Sequence, residues 1–320
     1  MLLILSHLQI CSSSYKFPQL CRFYTIASKQ KWLKRQKNDH FTREARVQNL
    51  RSRAAFKLKE IDDKFKLFKS DKIQNVLDLG FAPGSWSEVA RQRCHARSMI
   101  IGVDILPCEP PKGVSSLQAN ILSTKTQDLI RLYFNKHSRL DYILNDVDNI
   151  HKDHGFLKPR LPADIVDPEF EHELKDEEEY REVFSPDVDI SSHDNQQPID
   201  VILSDMYVPF PRLTGFTNNL TNLPYIRLMN TSGVAIRDHL LSVDLCDAAL
   251  VTAIDLLKVN GSFVCKLYTG KEDKLFEHRL KRVFKVVQRF KPVSSRLESK
   301  EIYFVALKKR SDVDKFKVFD

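Results

Sequence analysis

A lysine inside an apolar segment is the residue that most clearly points to chemistry in this 320-residue chain. Lys266 interrupts the run 262–268, which is predicted to be a central strand of a sheet. Burying an ammonium group is costly, so an interior lysine needs a carboxylate partner or a function. Asp205, at the carboxyl end of the predicted neighbouring strand 200–205, can supply that carboxylate. The two residues together fit proton transfer, and the alternative is a purely structural ion pair.

The segment 76–86 predicts a strand, a tight turn and a helix in succession. Gly80 and Gly84 are spaced Gly-x-x-x-Gly, and a nucleotide-like ligand can lie against such a turn because no Cβ blocks its approach. The fingerprint Gly-x-Gly-x-x-Gly is absent, which argues against NAD. The sequence Asp78-Leu79-Gly80 followed by Pro83-Gly84 resembles the first motif of S-adenosylmethionine (SAM) methyltransferases. The alternative is an ordinary βα turn.

Two polar residues end the next two predicted strands. Asp104 follows the strand 98–103, where a carboxylate can bind ribose hydroxyls. Asn120 follows the short strand 116–119, and its carbonyl oxygen can accept a hydrogen bond from an adenine amine. Each residue also fits a turn at a strand end, so both interpretations stay open.

Strands and helices alternate at lengths that predict a parallel sheet covered on both faces. The first helix is predicted over 54–65, because apolar residues recur there at helical spacing, and Lys57 flanks the apolar stripe. A lysine at such a position most often snorkels to solvent. Further helices are predicted over 124–136, 234–257 and 271–282, and strands over 75–79, 98–103, 116–119, 200–205, 262–268, 283–287 and 301–307.

The fourth strand has two candidates, because 141–146 and 200–205 are near copies that both end in an aspartate. We prefer the second, since Asp205 precedes the predicted helix 234–257 by an ordinary βαβ distance, whereas the first would need a very long excursion. Residues 209–231 then form a long loop above the carboxyl ends of the strands, where substrates bind.

Charge is distributed unevenly along the chain. The net charge is +8, but residues 141–200 hold 18 acids and 5 bases, and the other 260 residues hold 45 bases and 24 acids. The basic remainder favours an anionic partner such as a nucleic acid. The stretch 147–198 is acidic and contains five prolines, which predicts a largely irregular insertion. It could imitate RNA or contact a partner, and a solvated loop is the alternative that we prefer.

The first 38 residues contain seven bases and no acid, and Ser12-Ser13-Ser14 adds hydroxyls. This composition is typical of a mitochondrial transit peptide, which we assign to residues 1–25, and it predicts location in the mitochondrial matrix. The alternative is a disordered basic arm. Residues 26–53 are then expected to form a basic arm that contacts RNA. The apolar run 1–5 is too short to span a bilayer, so no membrane span is expected.

The six cysteines show neither Cys-x-x-Cys spacing nor neighbouring histidines at metal-ligand spacing. We therefore expect reduced thiols in an intracellular protein, with no metal site and no disulfide framework.

Five ordered motifs resemble those of the FtsJ/RrmJ family of RNA 2′-O-ribose methyltransferases. The likeness covers about residues 45–145 and 200–308, with a gap at the acidic insertion. The motifs are Arg51–Leu58, Asp78–Ser87, Ser204–Met206, Gly261–Lys266, and Ser294–Arg296 together with Ser299–Tyr303. The resemblance implies an α/β, Rossmann-like SAM methyltransferase fold over residues 54–320: a seven-stranded, mostly parallel sheet with helices on both faces and an antiparallel last strand.

The resemblance also implies the site. The family's Lys-Asp-Lys-Glu tetrad falls on Lys57, Asp205, Lys266 and Glu301, with Lys266 as proton acceptor. The implied SAM contacts fall on Pro83, Gly84, Ser85, Trp86, Asp104, Asn120 and Asp205. Some relatives carry Asp where Asn120 stands. Lys266 can act as a base if its pKa falls; Lys57 would lower that pKa and Asp205 would oppose the change, so the direction stays open.

The resemblance implies SAM-dependent 2′-O-methylation of a ribose, expected to be that of a uridine, in large-subunit rRNA, with a contribution to ribosome assembly. The basic leader places this expected function in the mitochondrion. The expected partners are rRNA and the mitochondrial large subunit or its precursor, and the chain is expected to be a monomer. One alternative is an rRNA-binding assembly factor whose methyl transfer is dispensable. Methylation of a small molecule or a protein fits the glycine turn but neither the basic arm nor the paired lysines.

Overall fold

A computed structural model of the chain describes residues 39–135, 197–208, 210–211 and 228–320. The chain divides into two units, Met1–His40 and Phe41–Asp320, and the described helices and strands belong to the second, apart from His40 at the start of the first helix. The predicted transit peptide, the acidic insertion up to residue 196, most of the loop 209–231 and the alternative fourth strand 141–146 lie outside the described residues.

Helices and strands alternate through the second unit. The helices are α1 (His40–Val47), α2 (Ala54–Phe65), α3 (Ser85–Arg93), α4 (124–135), α5 (Ala235–Leu256), α6 (Asp273–Val283) and α7 (Lys315–Phe319). The strands of the main sheet are β1 (Asn75–Leu79), β2 (Met99–Asp104), β3 (Ser115–Gln118), β4 (Ile199–Ser204), β7 (Leu257–Tyr268), β8 (Phe284–Phe290) and β9 (Glu301–Lys309). The short strands β5 (Phe210–Pro211) and β6 (Leu228–Met229) form a separate antiparallel ladder.

The main sheet has seven strands in the order β3-β2-β1-β4-β7-β9-β8. Pairing is parallel from β3 to β7, and β9 runs antiparallel to both of its neighbours. The α/β class, the seven strands and the antiparallel last strand are therefore confirmed. The direction of chain progression reverses between β1 and β4, which makes the carboxyl ends of these strands the switch point where α/β sheets bind ligands.

Two apolar layers cover the two faces of the sheet. Along β7, Phe263, Cys265 and Leu267 pack with α5 and α6. Val264 packs on the opposite face with α2 and α3. Because strand side chains alternate between faces, Lys266 projects to the same face as Val264. The strand thus points its lysine toward α2 and α3, the helices that flank the glycine turn.

Some boundaries differ from the sequence predictions. The strand β7 begins at Leu257, before the predicted start at 262; it bends at Asn260, which has φ +64°, and shifts register against β4. The helices α1 and α7 were not predicted, because each is short and its apolar positions depend on distant packing partners. None of the helices in the described ranges is long and apolar enough to cross a membrane.

Candidate active site

The glycine turn lies where β1 and β4 end. Gly80 has φ +71°, and its N–H donates to Val103 O at 2.9 Å. A Cβ at Gly80 would lie 2.7 Å from Met206 Cγ and 2.9 Å from Met206 Cα, the residue after Asp205. The turn from β1 and the segment leaving β4 therefore approach so closely that only glycine fits.

The second glycine begins α3. Gly84 has φ +94° and caps the helix, and a Cβ there would lie 3.0 Å from Pro111 Cδ. The turn also contains a cis peptide bond between Ala82 and Pro83. The first backbone N–H groups of a helix have no intrahelical partners, so Ser85 and Trp86 present donors beside the turn.

Asp78 is the buried acid beneath the turn. It is 0 % exposed, and its Oδ2 accepts from Ser87 Oγ at 2.6 Å, while Oδ1 has no hydrogen-bond partner among the described residues. Burial raises the pKa of Asp78 to about 7; the bond from Ser87 opposes the rise, and the charges of Asp205 and Asp104 add to it. The charges of two neighbouring carboxylates therefore both act on Asp78 at this edge of the sheet.

Asp104 closes the far side of the turn. Its Oδ2 accepts from the Ala82 N–H at 3.0 Å, and its Oδ1 accepts from the Leu106 N–H at 2.9 Å. Burial raises the pKa of this carboxyl, and these backbone bonds oppose the rise. Each carboxylate oxygen can accept further bonds, so Asp104 is held in place with capacity left for ligand hydroxyls.

The remaining predicted cofactor residues differ in burial and in their hydrogen-bond partners. Asn120 is exposed, and its Oδ1 accepts from the Leu122 N–H at 3.0 Å, which leaves one lone pair for an adenine amine. The Ser85 hydroxyl is buried and lies 2.7 Å from Ser52 Oγ. The Trp86 indole is buried and donates from Nε1 to the backbone carbonyl of residue 54 at 3.1 Å, which anchors α2 to α3.

The first lysine–carboxylate pair joins β7 to the end of β4. The Lys266 side chain is 3 % exposed, and its Nζ lies 2.9 Å from Asp205 Oδ1. The same ammonium donates to the Asp205 carbonyl oxygen at 2.7 Å. Burial lowers the pKa of Lys266, but the charge of Asp205, with those of Tyr268 and Glu301, outweighs burial and raises it above its usual range. Lys266 is therefore a protonated ammonium at neutral pH.

The second pair joins α2 to β9. Lys57 Nζ lies 2.7 Å from Glu301 Oε1, and the Lys57 side chain is only 13 % exposed, so it does not snorkel to solvent. Ser295 Oγ donates to the same Glu301 oxygen at 2.7 Å. Burial raises the pKa of Glu301, but the charge of Lys57 and the hydrogen bonds from Lys57 and Ser295 outweigh it, so the pKa is lowered.

Strand register brings the two pairs together. Lys266 on β7 lies opposite Tyr303 on β9, and Tyr268 lies opposite Glu301. Opposite residues, and residues two apart on one strand, share a face, so these four strand side chains all project toward α2 and α3. The buried Tyr303 hydroxyl lies 3.5 Å from Asp205 Oδ1, and the Tyr303 ring centroid lies 5.9 Å from the Nζ of the α2 lysine. Tyr303 thus contacts one member of each pair.

Two more aromatic residues surround Lys266. The Tyr207 ring centroid lies 5.2 Å from Lys266 Nζ, and burial raises the pKa of Tyr207. Burial also raises the pKa of Tyr268, to about 12, while the charge of Lys266 opposes that rise. Both hydroxyls therefore remain protonated at neutral pH and can donate hydrogen bonds.

Sequence reasoning gave no role to several residues that build this site. The signal that could have found them is their position: Arg51, Ser295 and Tyr303 all lie within the motifs on which the family resemblance depends. Their contacts connect segments that are distant in the chain, and spacing alone does not show which segments meet.

The edge of the sheet at the glycine turn suits a cationic ligand. Met206 occupies the space that a Cβ of Gly80 would need, and Asp78, Asp104 and Asp205 concentrate negative charge beside the turn. The sulfonium and ammonium groups of SAM are cations that such a cluster attracts. Among the described residues, no group of His, Cys, Asp and Glu could hold a metal ion. Strand order, the antiparallel β9 and the glycine turn with its carboxylates at the switch point define the class of Rossmann-like methyltransferase folds.

Comparison with known proteins gives the family. Residues 50–309 match the model of the FtsJ-like methyltransferases, and the chain belongs to that family. It is 56% identical over 306 residues to rRNA methyltransferase 2, mitochondrial, of Saccharomyces cerevisiae, covering 92% of each chain. It is 30% identical to the Schizosaccharomyces pombe protein of the same name, covering 87% of this chain and 95% of that one. It is 31% identical to ribosomal RNA large subunit methyltransferase E of Rickettsia rickettsii, covering 88% and 90%.

Proposed function

We propose that this chain is a SAM-dependent methyltransferase that modifies a ribose 2′-hydroxyl, that of a uridine, in the large-subunit rRNA of mitochondria, and so contributes to ribosome assembly. The observation that carries the proposal is the buried Lys266–Asp205 pair, which lies at the switch point together with the Lys57–Glu301 pair. The names of the fungal relatives support mitochondrial rRNA as the substrate, and that of the Rickettsia relative supports the large subunit.

The proposed cofactor residues stand at or just after the carboxyl ends of β1, β2, β3 and β4. Asp104 would bind the ribose hydroxyls of SAM, and Asn120 would accept from its adenine amine. The turn at Pro83 and Gly84, with the backbone donors of 85 and 86, would lie along the ligand. SAM supplies a methyl group made electrophilic by its sulfonium. In-line transfer then needs an oriented nucleophile and a proton acceptor.

Lys266 is the proposed proton acceptor. Its raised pKa means that it must first release to solvent the proton that Asp205 stabilises. A second cation beside Asp205, such as the ammonium group of SAM, would compete with Lys266 for that carboxylate. This competition would lower the pKa of the Lys266 ammonium. Neutral Lys266 can then take the proton of a ribose hydroxyl. Lys57 and Glu301 would hold that hydroxyl, and the bond from Ser295 fixes the glutamate.

The test is methyl transfer from radiolabelled SAM to mitochondrial large-subunit rRNA, offered free and in assembled subunits. We expect one ribose methyl group, mapped as a site resistant to alkaline cleavage, and its absence with Lys266→Ala while S-adenosylhomocysteine still binds. A methylated base, or wild-type turnover of Lys266→Ala, would overturn the proposed chemistry. Transfer and messenger RNA are assayed in parallel to test whether large-subunit rRNA is the preferred substrate.

Cellular experiments test location and role. We expect a tagged chain to fractionate with the mitochondrial matrix and to lose an N-terminal segment there. Lys266→Ala, expressed in cells that lack the chain, should leave the rRNA ribose unmethylated and subunit assembly impaired. Normal assembly with this variant would instead support an assembly factor whose methyl transfer is dispensable.

A further inference from the structure

Arg51 connects two segments of the chain that border the glycine turn. Its Nη1 donates to Pro83 O at 2.9 Å and to Glu109 O at 2.5 Å, and its Nη2 donates to Pro110 O at 3.1 Å. Its backbone N–H donates to Glu88 Oε2 on α3 at 3.2 Å. One residue therefore bonds to the turn, to the segment after β2 and to the helix between them.

The prolines of the two segments cannot supply backbone donors to each other. Pro83, Pro110 and Pro111 have no N–H, so a donor for the facing carbonyls must come from elsewhere. The Arg51 guanidinium offers five N–H donors in a rigid planar fork, which suits several carbonyls at once. A Cβ on Gly84 would lie 3.0 Å from Pro111 Cδ, so the two segments are in close contact beside the guanidinium.

Both segments are connected along the chain to residues proposed to bind the donor. The first carries Gly84 and α3, and the second follows Asp104, whose Oδ2 accepts from the Ala82 N–H across the gap. Arg51 itself lies in the basic arm that the sequence predicts to contact RNA. Its guanidinium is instead directed at backbone carbonyls.

We propose that Arg51 is a positioning residue for the methyl donor: it holds the turn 81–84 and the segment 109–111 at the spacing that donor binding requires. This inference rests on the proposed function, because the donor is the one proposed there. Arg51 is assigned no contact with donor or substrate; it acts through the two segments. Donor affinity then depends on a residue of the N-terminal basic arm.

The test measures S-adenosylhomocysteine binding by calorimetry, without RNA. Arg51→Gln should weaken binding about tenfold, because a neutral amide replaces the charge-assisted donors. Arg51→Lys should recover part of the affinity, since one ammonium reaches fewer carbonyls than the fork. In turnover assays KM for SAM should rise with little change in kcat. Equal affinity for Arg51→Gln and the wild type would overturn the inference.

Arg279→Gln is the control, because the Arg279 guanidinium also links two segments of the chain: it contacts Asp247, which joins α6 to α5 away from the turn. It should lower the melting temperature and leave the affinity for S-adenosylhomocysteine unchanged. Equal loss of affinity in both variants would assign Arg51 a general structural role and overturn the inference. If the wild type itself does not bind S-adenosylhomocysteine, the proposed function fails rather than the role of Arg51.

Hydrogen exchange on the wild-type protein tests the same inference when Arg51→Gln does not fold. S-adenosylhomocysteine should slow amide exchange in 50–53 together with 81–84 and 109–113, because the guanidinium joins these segments. Protection of 81–84 and 109–113 without 50–53 would contradict the proposal.

Discussion

The Nζ atom of Lys57 lies 2.7 Å from Oε1 of Glu301, so the helix α2 and the last strand β9 meet in one ion pair. This pair lies on the same face of the sheet as the Lys266–Asp205 pair, and Lys266 and Glu301 influence each other's charge. Tyr303 joins the two pairs by contacting Asp205 and Lys57. A substitution of Glu301 is therefore expected to alter the side of the site that holds the ribose hydroxyl. The glycine turn, where the methyl donor is proposed to bind, should keep its structure.

Glu301→Gln should reduce methyl transfer by about 10²-fold, because the neutral amide no longer fixes the Lys57 ammonium. S-adenosylhomocysteine binding should be retained, since Glu301 is assigned to the acceptor side. Single-turnover kinetics and calorimetry separate the two effects. Loss of S-adenosylhomocysteine binding in step with turnover would place Glu301 on the donor side instead.

Glu277→Gln is the control for that variant. Glu277 Oε1 pairs with Lys281 Nζ at 2.6 Å within α6, away from the site, so the same chemical change is made where no role in catalysis is expected. Methyl transfer should stay unchanged. Equal loss of turnover in Glu277→Gln and Glu301→Gln would contradict the role given to Glu301.

The rate of methyl transfer should rise with pH across the neutral and alkaline range. Lys266 has a raised pKa, so the neutral amine that can accept a proton is scarce at pH 7 and becomes more abundant as the pH increases. We expect kcat to increase about tenfold per pH unit until another step limits it. A rate that does not depend on pH between about 6 and 9 would exclude Lys266 as the proton acceptor.

Asp78→Asn should change how stability depends on pH. The folded pKa of Asp78 is raised from 3.8 to about 7, so ionised Asp78 destabilises the fold, and the stability of the wild type falls as pH rises through that interval. Asparagine cannot ionise and can still accept from Ser87. The variant should therefore gain on the order of 4 kcal/mol relative to the wild type between about pH 4 and pH 8, as measured by urea unfolding. Parallel pH profiles for the two proteins would contradict this assignment.

Gly80→Ala should destabilise the fold and abolish S-adenosylhomocysteine binding. The added Cβ meets Met206 Cα at 2.9 Å, and the backbone also has φ +71°. Gly233→Ala is the control that measures the cost of the positive φ without a steric clash. Gly233 has φ +83°, and no atom lies within 4 Å of the added Cβ. We expect a cost of about 1 kcal/mol at Gly233 and a larger one at Gly80. Equal costs in thermal unfolding would show that the contact with Met206 is unimportant.

Local sequence patterns determined most of the elements. The apolar run before the glycine turn predicts β1 over 75–79, and the structure has the strand at Asn75–Leu79. Helical spacing predicts α2 over 54–65, and the structure has Ala54–Phe65. These patterns succeed because the periods of helices and strands, and the demands of turns, are set by neighbouring residues. The start of β7 was missed, since its bend depends on the register with β4.

Tertiary structure decided how the other site residues combine. The sequence predicted that Asp205 would be the carboxylate partner of Lys266, and the structure has that pair. That Lys57 pairs with Glu301 follows only from the packing of α2 against β9. The direction of the Lys266 pKa could not be predicted either, because burial and nearby charges oppose each other and their balance depends on distances. Residue types are properties of the chain, whereas electrostatic energies depend on separations that exist only once distant segments have packed together.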